Sequence, residues 1–283
     1  MGTDITRRLV FGAALAGAAA PGWAQPSANV SHHGVLIRTP NLDEALAFWG
    51  DGLGFAIADL RPREGWARLA SNLPIYIEAR PQGRLAGGRV ACVEITFQSN
   101  DLDVSIRSLR GAGAEIISDA PYEVAVGRSI RFKDSAGIVH HMLQPSRTGA
   151  PFAEPRVYNS GFEVPQAAIA PTRALLEQGL GFRAMTERYF PPSVPYLEQT
   201  GSFAFMLHHN QPFEEDLLPR TDARADDLGS TQVFAVPDLA AASRVALGQG
   251  ATALDRRPQR FPMGRRRAFS TPGGAPFELW SWS

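Results

Sequence analysis

Apolar and polar positions along this chain form short blocks, and the blocks recur in a fixed order. Gly34-Val35-Leu36-Ile37-Arg38-Thr39 reads as a strand. Asn41 can cap the helix that follows, in which Leu42, Ala45, Leu46 and Trp49 recur at helical spacing. Leu53-Gly54-Phe55 stops that helix. The same order returns later: Gly161-Phe162-Glu163-Val164 reads as a strand, Thr172 to Gln178 as a helix and Leu180-Gly181-Phe182 as its stop. Gly34 to Leu53 spans 19 positions, and so does Gly161 to Leu180. Equal spacing across a strand, a helix and a turn marks an internal repeat.

Each half holds a second echo. Glu94-Ile95-Thr96-Phe97-Gln98 is a strand, followed by Asp101-Leu102 opening a helix through Leu109. Thr231 to Val236 is likewise followed by Asp238-Leu239 and a helix to Leu247. Glu94 to Leu102 is 8 positions, as is Thr231 to Leu239. The closing strands also align, Phe132 to Met142 with Phe269 to Leu279, and a loop with Pro145, Gly149, Pro151 and Pro155 separates the halves. The pattern predicts four strand–helix–strand–strand–strand units paired into two domains, 30–147 and 155–283. One unit of roughly 55–65 residues has too little core to stand alone.

The N-terminus is of a different kind. Arg7 and Arg8 precede an apolar run from Leu9 to Ala20, broken by Pro21 and followed by Gly22-Trp23-Ala24. The run is shorter than the ~20 residues that span a bilayer, so residues 1–24 read as a cleaved signal peptide and the mature protein as periplasmic or secreted. Thr6-Arg7-Arg8-Leu9-Val10-Phe11 resembles the twin-arginine export signal, and a general secretory signal carrying two arginines is the alternative. Beyond the signal nothing resembles a membrane span. A formal net charge of +0 gives no electrostatic reason to expect nucleic acid. Arg265-Arg266-Arg267 reads as a solvated loop or strand edge. Cys92 is the sole cysteine, so no intrachain disulfide forms.

Leu53-Gly54-Phe55, Leu180-Gly181-Phe182 and Thr271-Pro272-Gly273-Gly274-Ala275-Pro276-Phe277-Glu278-Leu279, taken in order over residues 30–283, resemble the vicinal-oxygen-chelate (glyoxalase, bleomycin-resistance, extradiol dioxygenase) superfamily. The resemblance implies an α+β fold: four βαβββ modules paired into two open-barrel glyoxalase-like domains, each with a cleft that often holds a divalent metal. It places ligands at a His on a module's first strand and a Glu at the end of its last. This sequence departs from that pattern. The first-strand place falls on Gly34 and Gly161, which carry no ligand atom, on Glu94 and on Thr231. The last-strand place falls on His141 and Glu278, and Glu78 ends the fourth strand where the resemblance places another Glu.

Strand alternation would direct His32, Gly34, Leu36 and Arg38 to the cleft, and Cys92, Glu94, Thr96 and Gln98 likewise. A metal site of His32, Glu78, Glu94 and His141 in the first domain follows as an expectation, with donors that suit Fe, Mn, Zn or Ni. Glu94 or Glu78 would double as general base. His208 falls near the place in the second domain that Glu78 holds in the first. Tyr76, Trp66, Phe97, Tyr196 and Trp280 fit a pocket for an aromatic or apolar molecule, with core as the simpler reading of Phe97 and Trp49. Arg38 and Arg128 could hold a substrate carboxylate. Alternatives stand beside these: Glu94 and His141 forming a salt bridge, Glu278 a buried carboxylate held by Arg266, and an empty cleft in the second domain.

Two functions remain open at this point. One is an exported, metal-dependent small-molecule enzyme of the glyoxalase or dioxygenase type, a lyase, isomerase or dioxygenase acting on an oxygen-bearing substrate, aromatic or not. The other is a non-catalytic small-molecule binding or sequestering protein. No nucleotide cofactor is indicated, the partner is a small-molecule ligand, and a homodimer is compatible with either.

Overall fold

The computed structural model describes residues 30–85, 93–124, 126–146, 155–184, 194–197, 204–209 and 222–282, with the backbone alone at Glu94, 194–197, 204 and 208–209. The expected signal at 1–24 and Cys92 lie outside the described residues.

The fold is α+β, and four modules repeat. The first runs β1 (Ser31–Thr39), α1 (Leu42–Leu46), β2 (Ile57–Arg61), β3 (Trp66–Leu69) and β4 (Ile75–Ala79). The second runs β5 (Val93–Gln98), α2 (Leu102–Gly111), β6 (Glu115–Ile116), β7 (Tyr122–Val124), β8 (Gly127–Lys133) and β9 (Val139–Pro145). The third has β10 (Arg156–Val164), α3 (Ile169–Ala174), β11 (Arg183–Ala184), β12 (Val194–Leu197) and β13 (Ala204–His209). The fourth has β14 (Gly229–Ala235), α4 (Leu239–Gly248), β15 (Thr252–Ala253), β16 (Gln259–Phe261), β17 (Gly264–Ser270) and β18 (Pro276–Trp282). Asn41, Asp101 and Asp238 cap α1, α2 and α4, each side chain accepting from two first-turn N–H groups that the helix leaves without partners. Both α1 and α3 widen into a π-helical turn, at Ala47–Gly52 and Leu175–Gly179, before the Leu-Gly-Phe stop.

Strand pairing joins modules that are not neighbours in sequence. One sheet has the order β15-β17-β18-β14-β1-β4-β3-β2, and the other β11-β12-β13-β10-β5-β9-β8-β6. The first module therefore shares a sheet with the fourth, and the second with the third. Each of the halves 30–147 and 155–283 gives one module to each sheet. At the centre of each sheet two first strands run antiparallel, β1 with β14 and β10 with β5. Within a module the first and last strands run parallel. The sheets are open and curved, and among the described residues no strand closes either into a barrel.

Side chains on the convex faces make one core with the helices. Val35, Ile37, Ile75, Ile77, Phe234 and Phe277 come from the first sheet, and Ile95, Phe97, Phe132, Phe162 and Phe205 from the second. Trp49 joins them, fully buried, which fits the core reading of Trp49 and Phe97. Inside this core lies one polar bridge between the sheets. His32 Nε2 lies 2.8 Å from Gln232 Oε1, which also accepts from Ser160 Oγ at 3.0 Å, while Gln232 Nε2 donates to the Gly161 carbonyl at 3.0 Å. Because all three side chains are buried, these bonds matter more for fixing the sheets' relative position than for net stability.

The parallel neighbours approach the first strands closely at the two glycines. A Cβ on Gly161 would stand 2.0 Å from the Met206 carbonyl oxygen, and one on Gly34 would stand 2.4 Å from that of Pro74. No larger residue, a metal-binding His included, fits at either place without moving backbone. Gly161→Ala should cost about 1–3 kcal/mol of stability, read as a lower midpoint in thermal or urea unfolding. A variant as stable as the parent would show that the strands are not so close.

Candidate functional site

The concave face of the first sheet is built on β1, β4, β14, β17 and β18. A β-bulge between His32 and Gly34 changes the alternation there. Contrary to the simple parity of the strand, His32 turns into the core between the sheets, its ring 5.0 Å from that of Phe205 and 5.7 Å from that of Phe234. His33 takes the cleft side instead. Its Nε2 lies 2.7 Å from Tyr76 Oη, and its ring meets that of Trp282 at 4.5 Å. Burial pushes the His32 imidazole down to about 4, and burial together with the Arg68 charge does the same for His33.

Beside them lies a buried ion cluster. Register places Arg38 next to Glu78 on β4. Arg38 Nε donates to Glu78 Oε2 at 3.3 Å and Nη1 to Thr231 Oγ1 at 3.1 Å, while Nη2 pairs with Glu278. From the other wall of the cleft, Arg266 Nη1 donates to Glu78 Oε2 at 3.0 Å and stands 3.6 Å from Glu278 Oε2. Arg80 adds a bond to Glu78 Oε1 at 2.7 Å, and Trp280 Nε1 donates to Glu278 Oε2 at 2.6 Å. Burial alone would raise the Glu78 carboxyl, but Arg38, Arg266 and Arg80 offset it and hold the group below its ordinary value. Arg266 is thus no solvated strand residue. Its neighbour Arg265 points outward, and the alternation within the run is the signal that separates them.

This arrangement does not fit a metal ion. The two carboxylates that could bind one already face guanidinium groups, the first-strand places are Gly34 and Thr231, and a second cation would add repulsion to desolvation. For Glu78 the same contacts oppose a role as metal ligand or general base, because its lone pairs are committed to three arginines. Arg38 is likewise committed and holds no place for a substrate carboxylate. Trp66 and Tyr76 are buried with Trp280, at ring separations of 5.6 Å for Trp66–Trp280 and 4.8 Å for Tyr76–Trp280. Phe261 covers Trp280 at 4.5 Å, and Arg61 Nη1 donates to the Pro262 carbonyl at 3.0 Å across the mouth. Protein side chains already fill this cleft.

The second sheet is different. Its register sets Glu94 beside Gly161, Thr96 beside His141 and Glu163 beside His208. By strand alternation the positions Glu94, Thr96, His141, Asn159, Glu163 and His208 share one face. Arg131, the partner of His141 on β8, shares it too. Glu94 and His141 lie on adjacent strands of this sheet, whereas His32 and Glu78 belong to the other. Their neighbours are Glu163 and His208. Glu163 was legible as the cleft-facing residue two places after Gly161. Its candidacy depended on knowing that the second and third modules share a sheet. Glu163 is buried, while His141 is only half-buried. His140, the other member of its pair, is fully buried on the opposite face, with Nε2 3.2 Å from Asp134 Oδ2. Tyr196 lies on β12 in the same sheet, and Arg128 lies on β8 at 3.9 Å from Glu123. Among the described residues no group of three or more His, Cys, Asp or Glu side chains stands assembled for a metal.

Four βαβββ modules in two open curved sheets define the glyoxalase-like, vicinal-oxygen-chelate fold. No family model and no curated protein matches the chain. Solved structures do. Glyoxalase I from Zea mays is similar with a TM-score of 0.60 over 89% of this chain and 92% of its own, at 13% identity. A candidate dioxygenase from Bacillus subtilis subsp. subtilis str. 168 is similar with a TM-score of 0.55 over 91% and 86%, also at 13% identity. At such identity the likeness is one of fold.

Two outcomes follow for stability. Arg266→Met leaves Glu78 and Glu278 buried with fewer partners and should cost about 3–5 kcal/mol, measured by urea unfolding at neutral pH; an unchanged midpoint would mean that the cluster is not formed. The pH dependence has a defined sign. Because His32 and His33 are held near 4 when folded, the unfolded chain binds more protons below its ordinary histidine value of 6.5. Stability should fall from about pH 6.5 toward pH 4, and fall further below 4.5 as Glu78, depressed when folded, is protonated. His32→Gln with His33→Gln should flatten the first part and leave the second.

Proposed function

We propose that this chain is a small-molecule enzyme of the glyoxalase or dioxygenase type, metal-dependent, with its working cleft in the second sheet. The observation that carries this reading is the contrast between the two concave faces. The first is packed with Trp66, Tyr76, Trp280 and a neutralised ion cluster. The second sets two carboxylates and two imidazoles at neighbouring positions of one face.

The donor set suits a divalent ion such as Fe, Mn, Zn or Ni. Glu94, His141, Glu163 and His208 are the residues that would hold it. When bound, such an ion polarises substrate oxygens and stabilises negative charge that develops on them. The chain's own part is to supply the donors and a shaped, partly dry face. Glu94 or Glu163, whichever carries the weaker bond to the ion, would accept a proton from the carbon or hydroxyl next to the bound oxygens. Thr96, beside His141, and Asn159, its partner on β10, would orient the substrate by hydrogen bonds.

His141 is the most informative residue, because it lines a cleft and packs no core. His141→Ala should lower affinity for Mn(II) or Zn(II) by ~10–100-fold or more with little change in melting temperature. Equilibrium dialysis with metal analysis reads the effect. Equal metal binding by parent and variant would remove His141 from the site. Absence of metal from both, with retained binding of an aromatic ligand, would leave a sequestering protein in its place.

Export belongs to the same proposal. Residues 1–24 would direct the chain across the membrane, giving a mature N-terminus near Gln25 and a periplasmic or secreted protein. N-terminal sequencing of the exported form checks it, and an intact Met1 would contradict it. If the twin-arginine route is used, replacing Arg7 and Arg8 by Lys should stop transport.

A further inference from the structure

Cation and anion are closely matched along this chain, with 28 of each, and Arg38, Arg80 and Arg266 of the first sheet's cleft are paired. The hairpin of β16 and β17 departs from that balance. Arg256, Arg257, Arg260 and Arg265 are exposed, and among the described residues none of the four has an ion-pair or side-chain hydrogen-bond partner. Arg260 and Arg265 are direct cross-strand partners on this antiparallel pair. Like charges set opposite each other destabilise a hairpin, so this cross-strand pair works against the contacts that hold the hairpin. The nearest carboxylate in sequence, Asp255, accepts from the Ala268 N–H and lies half-buried under the strand.

Next to this hairpin stands an exposed indole. Trp282 pairs in register with Gly264, the residue before Arg265, and is 46% exposed, whereas Trp49, Trp66 and Trp280 are fully buried. The tip between the arginines is Phe261-Pro262-Met263-Gly264, which is apolar and only partly covered. Arginines without counter-ions, an apolar tip and an exposed tryptophan at one sheet end combine two preferences. The guanidinium groups favour an anionic surface, and the indole favours the boundary between water and hydrocarbon. A soluble anion alone would leave the indole without a role.

We infer that the β16–β17 hairpin, with Trp282, is a docking surface for an anionic phospholipid bilayer. The protein rests on the membrane surface through this end and is not inserted. No described helix is long and apolar enough to cross a membrane. The surface belongs to the first sheet, not to the sheet that carries the proposed reaction. The inference is independent of the function proposed for that second sheet.

The chain from Gln25 onward is mixed with vesicles of phosphatidylcholine alone or with phosphatidylglycerol, and partition is measured by co-sedimentation and by tryptophan emission. Binding should require phosphatidylglycerol and weaken with salt. Arg260→Gln with Arg265→Gln should lower partition on the order of 25-fold, about fivefold per arginine. The double variant should melt no lower than the parent, since it removes a repulsion. Emission should shift to the blue on binding, and Trp282→Phe should abolish the shift. Equal partition to both kinds of vesicle, or an unchanged double variant, would overturn the inference. Binding of inorganic pyrophosphate by the same arginines without partition to vesicles would also overturn it, and would assign them to a soluble anion.

Discussion

A single module of this fold leaves one backbone edge of its first strand without a partner, and the rest of the structure depends on which other first strand covers that edge. An uncovered edge of this length would expose a row of N–H and C=O groups. Here β14 covers β1, and β10 covers β5. That choice joins the first module to the fourth and the second to the third. It decides which side chains meet in each cleft, and it makes the two halves of the chain interdependent. The Gln232 bridge to His32, Ser160 and Gly161 crosses from one sheet to the other at the level of these first strands, so it fixes the two pairings against each other.

The same pairing sets the character of the first sheet's cleft. In the first sheet, Glu78 and Glu278 arrive from different halves of the chain and would repel each other if left alone. Arg38 and Arg266 neutralise both, and the aromatic side chains close over them. A charge cluster buried this well is costly to assemble and costlier to break, so its role is to hold two modules in one geometry. In the second sheet the positions Glu163 and His141 share one face with Arg131, so carboxylate, imidazole and guanidinium positions are neighbours there too.

Much of this was legible in the sequence. The four modules, their capped helices and the Leu-Gly-Phe stops follow from spacing and from Asn41, Asp101 and Asp238. Core assignments such as Trp49 and Phe97 follow from periodicity. The pairing of modules was not legible, because the repeats have nearly equal lengths. Equal modules satisfy a neighbour pairing and a crossed pairing equally well. That single ambiguity separated His32 and Glu78 from Glu94 and His141. A second error came from the bulge at His32 and Gly34, which one-residue alternation cannot anticipate. Arg266 was hidden in a run of three arginines, where composition suggested solvent and only the strand's alternation turned one of them inward. The reading of Glu278 as a carboxylate held by Arg266 was sound, since it required only that two oppositely charged residues share a short stretch of neighbouring strands.

The central claim is that the crossed pairing leaves one cleft filled and one able to work. Crystals of the full chain grown with Mn(II) test it most directly through the anomalous signal of the metal. The account predicts one metal peak per chain beside His141 in the second sheet, and none within the cluster of Arg38, Glu78, Arg266 and Glu278. A metal peak between Glu78 and Glu278, with the two arginines displaced, would contradict it.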